Sequence, residues 1–277
     1  MPAWTPPVII GRSRHAADRE LFGRLGLDDE KQAYEKQANI HWILTRDDNE
    51  EAPLKLVRPD KVYLSVDFST GKARYRTTES GKGAQALSKA LGIKQFYRMN
   101  NAYPLIIDAT GGLGQDAWAL ASIGCSVIII ERHPVVHALL QDGLFRAGSL
   151  SVLAASDSAV HARIASRLTL VHDDATRCLR KLCDQHRPHA IYLDPMYPER
   201  RKKASSKKGM QFLHALLGPP TSEECPELLL CATDCRASRV AVKRPAGAQL
   251  LAGSDSVNAQ LTAISTPNTR FDIYHQL

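Results

Sequence analysis

Four short apolar segments near the middle of the chain each end at or beside an acidic residue. They span residues 105–108, 126–131, 168–172 and 190–194, and predicted helices separate them. Fully apolar strands that alternate with helices predict an α/β fold, in which helices cover both faces of a mostly parallel sheet. Because right-handed crossovers bring the carboxyl ends of such strands to one edge, we expect the acidic residues to meet at the edge where ligands bind.

Residues 1–80 differ from the rest of the chain because they are polar and lack regular apolar spacing. We predict a helix at 15–25, strands at 40–44, 54–57 and 62–68, and a turn at 69–72 with a return strand at 73–76. Further helices are predicted at 83–91, 115–123, 134–146 and 175–185, and later strands at 240–243 and 271–274. The chain therefore divides into a small N-terminal α+β region at 1–80 and a main domain at 81–277.

The net charge, the length of the apolar runs and the cysteine spacing indicate which classes of protein fit this chain. The 277 residues carry a net charge of +7, which favours polyanionic partners such as nucleic acids, although many basic proteins bind none. No apolar run approaches the ~20 residues that span a bilayer, and no secretory segment follows Met1, so we expect a cytoplasmic protein without a membrane segment. The six cysteines form no CxxC pair, which predicts reduced thiols and no metal site.

A glycine-rich turn lies between the first apolar segment and the helix after it. Residues 108–116 have the sequence DATGGLGQD, in which the glycines allow a sharp turn and a close approach to a ligand. Glu131 ends the next segment, where a carboxylate can accept hydrogen bonds from both hydroxyls of a ribose. The pattern predicts a cofactor that contains a nucleoside. The alternative is a purely structural turn with a solvated acid at each strand end.

The acids beside this turn help to choose the cofactor. Asp108 and Asp116 would repel a pyrophosphate but suit a cationic ammonium or sulfonium group, which favours S-adenosylmethionine over NAD. Asp116 can instead complement the helix dipole. After the third segment, Asp173 and Asp174 are placed either to accept the adenine amine or to cap the following helix.

The fourth apolar segment leads into Asp194-Pro195-Met196-Tyr197-Pro198. This resembles the Asp/Asn-Pro-Pro-Tyr/Phe signature of methyltransferases that act on exocyclic amines of bases, with Met196 in place of the second proline. The Asp194 side chain and the Pro195 carbonyl would accept hydrogen bonds from the amine, and Tyr197 would stack on the base. A proline-rich structural loop is the alternative.

A basic tract follows directly. Six of the eleven residues 200–210 are lysine or arginine, and their position beside the predicted base site favours contacts with phosphates over a merely solvated face. The residues expected to contact RNA are Arg200, Arg201, Lys202, Lys203, Lys207 and Lys208.

Five segments together are similar to the 16S ribosomal RNA guanine-N2 methyltransferase J family. They are 108–116, 131–136 (ERHPVV), 193–197 (LDPMY), 242–245 (VKRP) and 270–274 (RFDIY), and the similarity covers most of residues 80–277. The resemblance implies a Rossmann-like class I methyltransferase with a seven-stranded sheet. It also implies S-adenosylmethionine as cofactor and, as acceptor, the N2 amine of a guanosine in 16S rRNA of the small ribosomal subunit.

The motifs and the resemblance together give a set of expected cofactor contacts. These are Asp108, Gly111, Gly114, Gln115, Asp116, Glu131, Arg132, Asp174, Ala175 and Asp194. Two other functions remain open from the sequence. One is a DNA or protein-amine methyltransferase with the same loop, and the other is a catalytically silent RNA-binding protein.

Overall fold

The computed structural model describes residues 7–27, 41–49, 51–68, 82–149, 156–196, 208–218, 224–251, 254 and 257–276. The chain groups into two compact units. The first contains Met1–Asp67, Ala138–Arg146 and Met196–Pro220, and the second contains Phe68–His137, Ala147–Pro195 and Thr221–Leu277. The predicted boundary at residue 80 lies outside the described residues and stays a prediction, and so do the predicted turn at 69–72 and its return strand.

Strands and helices alternate along most of the described chain. The strands are β1 (Val8–Arg12), β2 (His41–Thr45), β3 (Lys55–Val57), β4 (Tyr63–Leu64), β5 (Leu105–Asp108), β6 (Ser126–Ile130), β7 (Leu168–Val171), β8 (Ala190–Leu193), β9 (Arg239–Pro245), β10 (Ala259–Ser265) and β11 (Thr269–Gln276). The helices are α1 (Ala16–Arg24), α2 (Lys82–Ala90), α3 (Ile93–Asn100), α4 (Gln115–Ser122), α5 (Pro134–Ser149), α6 (Ser156–Ala165), α7 (Ala175–His186), α8 (Lys208–Leu217) and α9 (Glu224–Thr233).

The first unit is built on a four-stranded sheet in the order β1-β2-β3-β4. β1 and β2 are parallel, whereas β3 and β4 continue the sheet in antiparallel pairs. Apolar packing covers this sheet, and the Trp42 ring meets Phe212 of α8 edge-on with 4.8 Å between the ring centroids. This unit also includes Ala138–Arg146 and Met196–Pro220, so the separate N-terminal α+β region at 1–80 stays a prediction.

Buried charges also hold the first unit together. The Arg46 guanidinium lies 3.2 Å from Asp18 Oδ2 and 2.7 Å from Asp142 Oδ1. Arg146 donates a hydrogen bond to the other oxygen of Asp142 at 2.9 Å. Two guanidiniums thus face two carboxylates, which offsets the cost of burying each charge.

The second unit contains a seven-stranded sheet in the order β10-β11-β9-β8-β5-β6-β7. The five strands from β9 to β7 run parallel, and β11 pairs antiparallel with both β9 and β10. The chain passes from β5 outward to β7 and then returns to the other side of β5 as β8. Ligands of such sheets bind at the carboxyl ends of the two strands that flank this reversal, here β5 and β8.

Helices cover both faces of this sheet. On one face, Ile107, Ile191 and Val242 belong to a buried cluster that includes residues of α7 and α9. Successive side chains of a strand point to opposite faces, so Ile106 and Ile129 lie on the other face, where α4 packs against β6. The expected α/β architecture with a mostly parallel seven-stranded sheet is confirmed.

Several elements differ from the sequence-based expectation. The strand predicted at 62–68 is wrong in length, because only Tyr63–Leu64 pair with β3. The edge strands β1 and β10 and the helices α3, α6, α8 and α9 were not predicted. All side chains of β10 are exposed or half-buried, so β10 lacks the continuous apolar run that marks β5, β6 and β8 as strands.

Candidate active site

The glycine turn connects the carboxyl end of β5 to the first turn of α4. A Cβ atom on Gly111 would lie 2.5 Å from Ile129 Cγ2 and 3.0 Å from the Ile130 carbonyl oxygen, so only glycine lets the turn pack against β6. Gly114 is the N-cap of α4 and has a φ of 68°, which glycine adopts without strain. The backbone of the turn therefore lies directly on the strand that ends at Glu131.

Glu131 is buried beneath this turn and stabilises it through hydrogen bonds. Its Oε2 accepts a hydrogen bond from the Gly112 N–H at 2.7 Å, and its Oε1 accepts one from the His133 N–H at 2.7 Å. Burial raises the pKa of Glu131, and these backbone hydrogen bonds oppose the rise. Each carboxylate oxygen keeps a further lone pair. The geometry thus fits a ribose whose two hydroxyls bind the same carboxylate.

Two acidic residues, Asp173 and Asp174, follow the end of β7. Asp174 caps α7, because its Oδ1 accepts hydrogen bonds from the Thr176 N–H at 2.9 Å and the Thr176 hydroxyl at 2.7 Å. Its other oxygen lies 3.6 Å from the Arg132 guanidinium. Burial alone would raise the Asp174 pKa, but the Thr176 hydrogen bonds and Arg132 outweigh burial and lower it. Of the two roles that the sequence left open for Asp173 and Asp174, the cap is therefore performed by Asp174.

Asp194, directly after β8, belongs to a cluster of charged side chains around Lys243. The Lys243 ammonium lies 2.7 Å from Asp194 Oδ2 and 2.7 Å from Asp116 Oδ2. The Tyr192 hydroxyl donates a hydrogen bond to the same oxygen of Asp116 at 2.6 Å. Burial and the neighbouring carboxylates raise the pKa of Tyr192 well above its usual value, so its hydroxyl stays a donor.

Strand register explains why these groups meet. Leu193 pairs with Val242 in the parallel ladder between β8 and β9, so the next residues, Asp194 and Lys243, are neighbours. Alternation along β8 places Tyr192 on the same face as Asp194, and this is the face that α4 covers with Asp116. The register thus brings together residues that lie far apart in the sequence.

Thr110 links the glycine turn to the loop after β8. Its hydroxyl oxygen accepts a hydrogen bond from the Asp194 N–H at 2.7 Å, and its own N–H donates to Asp108 Oδ1 at 3.1 Å. Burial, with help from the nearby Asp116 and Asp194 carboxylates, raises the pKa of the Asp108 carboxyl to about 7. The turn and the loop are therefore one hydrogen-bonded assembly.

The structure brings most of the predicted site residues to one edge of the sheet. Around the ends of β5, β6 and β8 lie Asp108, Gly111, Gly114, Asp116, Glu131 and Asp194. Beside them, Arg132, Asp174 and Ala175 surround the end of β7, Gln115 is exposed at the start of α4, and Pro195 follows Asp194. Tyr197, Arg200, Arg201, Lys202, Lys203 and Lys207 lie outside the described residues, and Lys208 is described only as the first residue of α8.

Sequence reasoning assigned no role to Lys243, Thr110 or Tyr192. A signal for Lys243 exists, since a charged residue directly follows the buried segment 240–242 of β9. No comparable signal marks Thr110 or Tyr192, because a threonine in a turn and a tyrosine in a strand are ordinary.

Two features are absent from the described residues. Within them, no group of three or more His, Cys, Asp or Glu side chains is arranged to hold a metal ion. No helix in the same part of the chain is long and apolar enough to cross a bilayer.

The sheet order, the glycine turn and the carboxylates beside the reversal point define a Rossmann-like class I methyltransferase. The model of the SAM-dependent methyltransferase family matches residues 29–276. A solved SAM-dependent methyltransferase from Neisseria gonorrhoeae superposes with a TM-score of 0.68 at 29% identity, over 96% of this chain and 95% of that one.

Relatives of known name agree with this class. A ribosomal RNA small subunit methyltransferase J from Shewanella amazonensis is 40% identical over 248 residues, which cover 86% of this chain and 92% of the relative. The protein of the same name from Photorhabdus laumondii is 42% identical over 211 residues, 76% of this chain and 77% of the relative. The chain belongs to the ribosomal RNA small subunit methyltransferase J family of S-adenosylmethionine-dependent enzymes, which confirms the predicted resemblance and cofactor.

Proposed function

We propose that this enzyme transfers a methyl group to the exocyclic N2 amine of a guanosine in 16S rRNA. The observation that carries the proposal is the hydrogen-bonding of the two Asp194 carboxylate oxygens. Its Oδ2 is bound to Lys243, whereas no described residue forms a hydrogen bond with its Oδ1. The side chain is 29% exposed, so Oδ1 is free to accept an N–H from a substrate amine. The relatives named as small-subunit rRNA methyltransferases support rRNA as the substrate.

The chemistry explains why an acid and a proline follow β8. An amine conjugated to a purine ring is a poor nucleophile because its lone pair is delocalised into the ring. Hydrogen bonds from the amine to Asp194 Oδ1 and to the Pro195 carbonyl oxygen favour a pyramidal nitrogen and orient it. Tyr197 would stack on the guanine and hold it in place. S-adenosylmethionine, when bound, supplies an activated methyl group on a positively charged sulfur.

Asp194 is also suited to take the proton that the amine loses. Burial and the neighbouring Asp116 raise the pKa of Asp194, and Lys243 opposes the rise. A carboxylate with a raised pKa is a better proton acceptor than a fully solvated one. Asp194 can therefore orient the amine first and accept its proton afterwards.

The cofactor site is proposed at the carboxyl ends of β5, β6 and β7. Glu131 would bind the ribose hydroxyls, and the Asp174-Ala175 segment would line the adenine. The remaining contacts are assigned to Asp108, Gly111, Gly114, Gln115, Asp116, Arg132 and Asp194. The fixed Glu131 carboxylate and the close packing of Gly111 on β6 support this placement.

Contacts with RNA are assigned to the basic tract after the Asp194 loop. Arg200, Arg201, Lys202, Lys203, Lys207 and Lys208 would bind backbone phosphates, and the net charge of +7 supports a polyanionic partner. An enzyme that modifies 16S rRNA in the small ribosomal subunit would work in the cytoplasm, where that RNA resides.

Radiolabelled methyl transfer to separate substrates tests the proposed function. We expect label in 16S rRNA or small subunits, recovered after digestion as N2-methylguanosine, and none in DNA or bulk protein. D194N should lower the single-turnover rate about a hundredfold while RNA affinity changes little. D184N is the matched control, because Asp184 is an exposed acid on α7.

Other outcomes would contradict the proposal in different ways. Label in DNA or protein alone would mean that the Asp194 loop binds an amine of DNA or protein and not the guanosine amine of rRNA. Cofactor binding without methyl transfer to any of these substrates would indicate a catalytically silent RNA-binding protein.

A further inference from the structure

Lys243 is the one described cation in contact with both Asp194 and Asp116, and neither the motifs nor the family names assign it a role. We propose that Lys243 is a positioning residue for methyl transfer, whose ammonium group turns the Asp194 carboxylate so that Oδ1 faces the substrate amine. This inference rests on the proposed role of Asp194 in binding that amine.

The contact geometry supports a positioning role. Lys243 Nζ donates to Asp194 Oδ2, and the backbone N–H of Asp194 donates to Thr110, so the residue is held both at its backbone and at one carboxylate oxygen. The remaining oxygen, Oδ1, has no hydrogen-bond partner among the described residues. A carboxylate held in this way presents one acceptor in one direction, which an exposed aspartate with free rotation would not do.

Lys243 is itself held in place. Its ammonium group bonds Asp116 at 2.7 Å, and the Tyr192 hydroxyl donates to the same Asp116 oxygen. The side chain is 29% exposed, so the contacts are shielded from water on most sides. A chain of contacts therefore runs from Tyr192 through Asp116 and Lys243 to Asp194.

The charges of the cluster require a cation at this point. Among the described residues, the titratable groups that face one another are Asp108 on β5, Asp116 on α4, Tyr192 and Asp194 at β8, and Lys243 on β9. Burial lowers the pKa of Lys243, but Asp194 and Asp116 raise it well above its usual value, so the ammonium stays charged. Without that charge, neighbouring carboxylates would repel one another and one of them would take up a proton.

Loss of Lys243 should therefore change the protonation of Asp194 as well as its orientation. Lys243 holds the pKa of Asp194 down against burial and Asp116. In K243M that pKa rises further, so a larger fraction of Asp194 is protonated at neutral pH. A protonated carboxyl loses acceptor strength toward the amine, and a higher pH restores it.

The test compares K243M and K243R with K181M, which removes the same charge from an exposed position on α7. In single-turnover methylation of 16S rRNA, K243M should be at least about tenfold slower at neutral pH, and the acid limb of its pH profile should move to higher pH. Its affinity for RNA should stay within about twofold of wild type. K243R should retain the wild-type pH profile, and K181M should match wild type throughout.

A second readout needs no substrate. Carbon-13 NMR of aspartate carboxyls in the cofactor-free protein, with the Asp194 signal assigned from D194N, should show a higher titration midpoint in K243M than in wild type. K243R should keep the wild-type midpoint. If K243M fails to fold, K243R alone tests the inference through its Asp194 midpoint. An unchanged midpoint in folded K243M, a shifted midpoint in K243R, or a wild-type rate and profile in K243M would overturn the inference. Wild-type enzyme that methylates no RNA would instead remove the proposed function, whatever the NMR midpoints are.

Discussion

Thr110 Oγ1 accepts a hydrogen bond from the backbone N–H of Asp194 at 2.7 Å, so a turn after β5 fixes the loop after β8. Thr110 also donates its own N–H to Asp108 at the end of β5. One small side chain therefore connects the turn assigned to the cofactor with the acid assigned to the substrate amine. A change in either loop should affect the other.

Substitution of Thr110 tests this connection. T110V keeps the shape of the side chain but removes the acceptor, which leaves the Asp194 N–H without its partner at a cost of about 1–3 kcal/mol. We expect a single-turnover methylation rate about tenfold or more below wild type, because the Asp194 loop loses its fixed position. T110S retains the hydroxyl and should stay close to wild type. Equal rates for T110V and T110S would show that the hydrogen bond does not matter.

Substitution of Glu131 tests the ribose site. E131A should weaken S-adenosylmethionine binding by about 1–3 kcal/mol, because the ribose and two backbone N–H groups lose a charged acceptor. E131Q should also bind weakly, since its single amide oxygen cannot serve both the Gly112 and His133 N–H groups. Titration calorimetry measures both affinities. The control is E227Q, which changes an exposed glutamate on α9, and wild-type affinity in E131A would remove Glu131 from the cofactor site.

The pKa of Asp108 makes stability depend on pH. Burial raises it from its usual 3.8 to about 7, so the folded protein binds more protons than the unfolded chain between these values. The contribution of Asp108 to the free energy of unfolding should therefore fall as pH rises from about 4 to about 7, and then level off.

Denaturant unfolding of the cofactor-free protein across this pH range checks the effect. D108N cannot titrate, so the difference in unfolding free energy between wild type and D108N should change with pH and become constant above pH 7. D184N serves as the control and should follow the wild-type curve. A difference between wild type and D108N that stays constant from pH 4 to 7 would mean that Asp108 titrates normally.

Salt dependence tests the assignment of the basic tract to RNA. Replacing Arg201, Lys202, Lys203, Lys207 and Lys208 with alanine should weaken RNA binding, and each lost phosphate contact should reduce the log–log salt slope by about 0.7–0.9. Cofactor affinity should hardly change. Long basic side chains can instead cover apolar surface. An unchanged slope with a lower melting temperature would therefore assign the tract to the fold.

Local features of the sequence were enough to predict the edge of the sheet where the site lies. The apolar segments before Asp108, Glu131 and Asp194 have the length and composition of buried strands, and parallel strands end at one edge. The glycine turn was equally clear, because Gly111 and Gly114 are required by the backbone itself. Such signals depend on residues that are close in the sequence, and so they can be recognised in one chain without its structure.

Only the tertiary structure decided which side chains meet at that edge. Lys243 lies 49 positions from Asp194 and 127 positions from Asp116, yet it bonds both carboxylates. These contacts depend on the register between β8 and β9 and on the packing of α4 over the same face of the sheet. Register and packing result from the summed burial of many distant side chains, which no local pattern records. The sequence therefore determined which acids end the strands, and the fold determined which cation binds Asp194 among them.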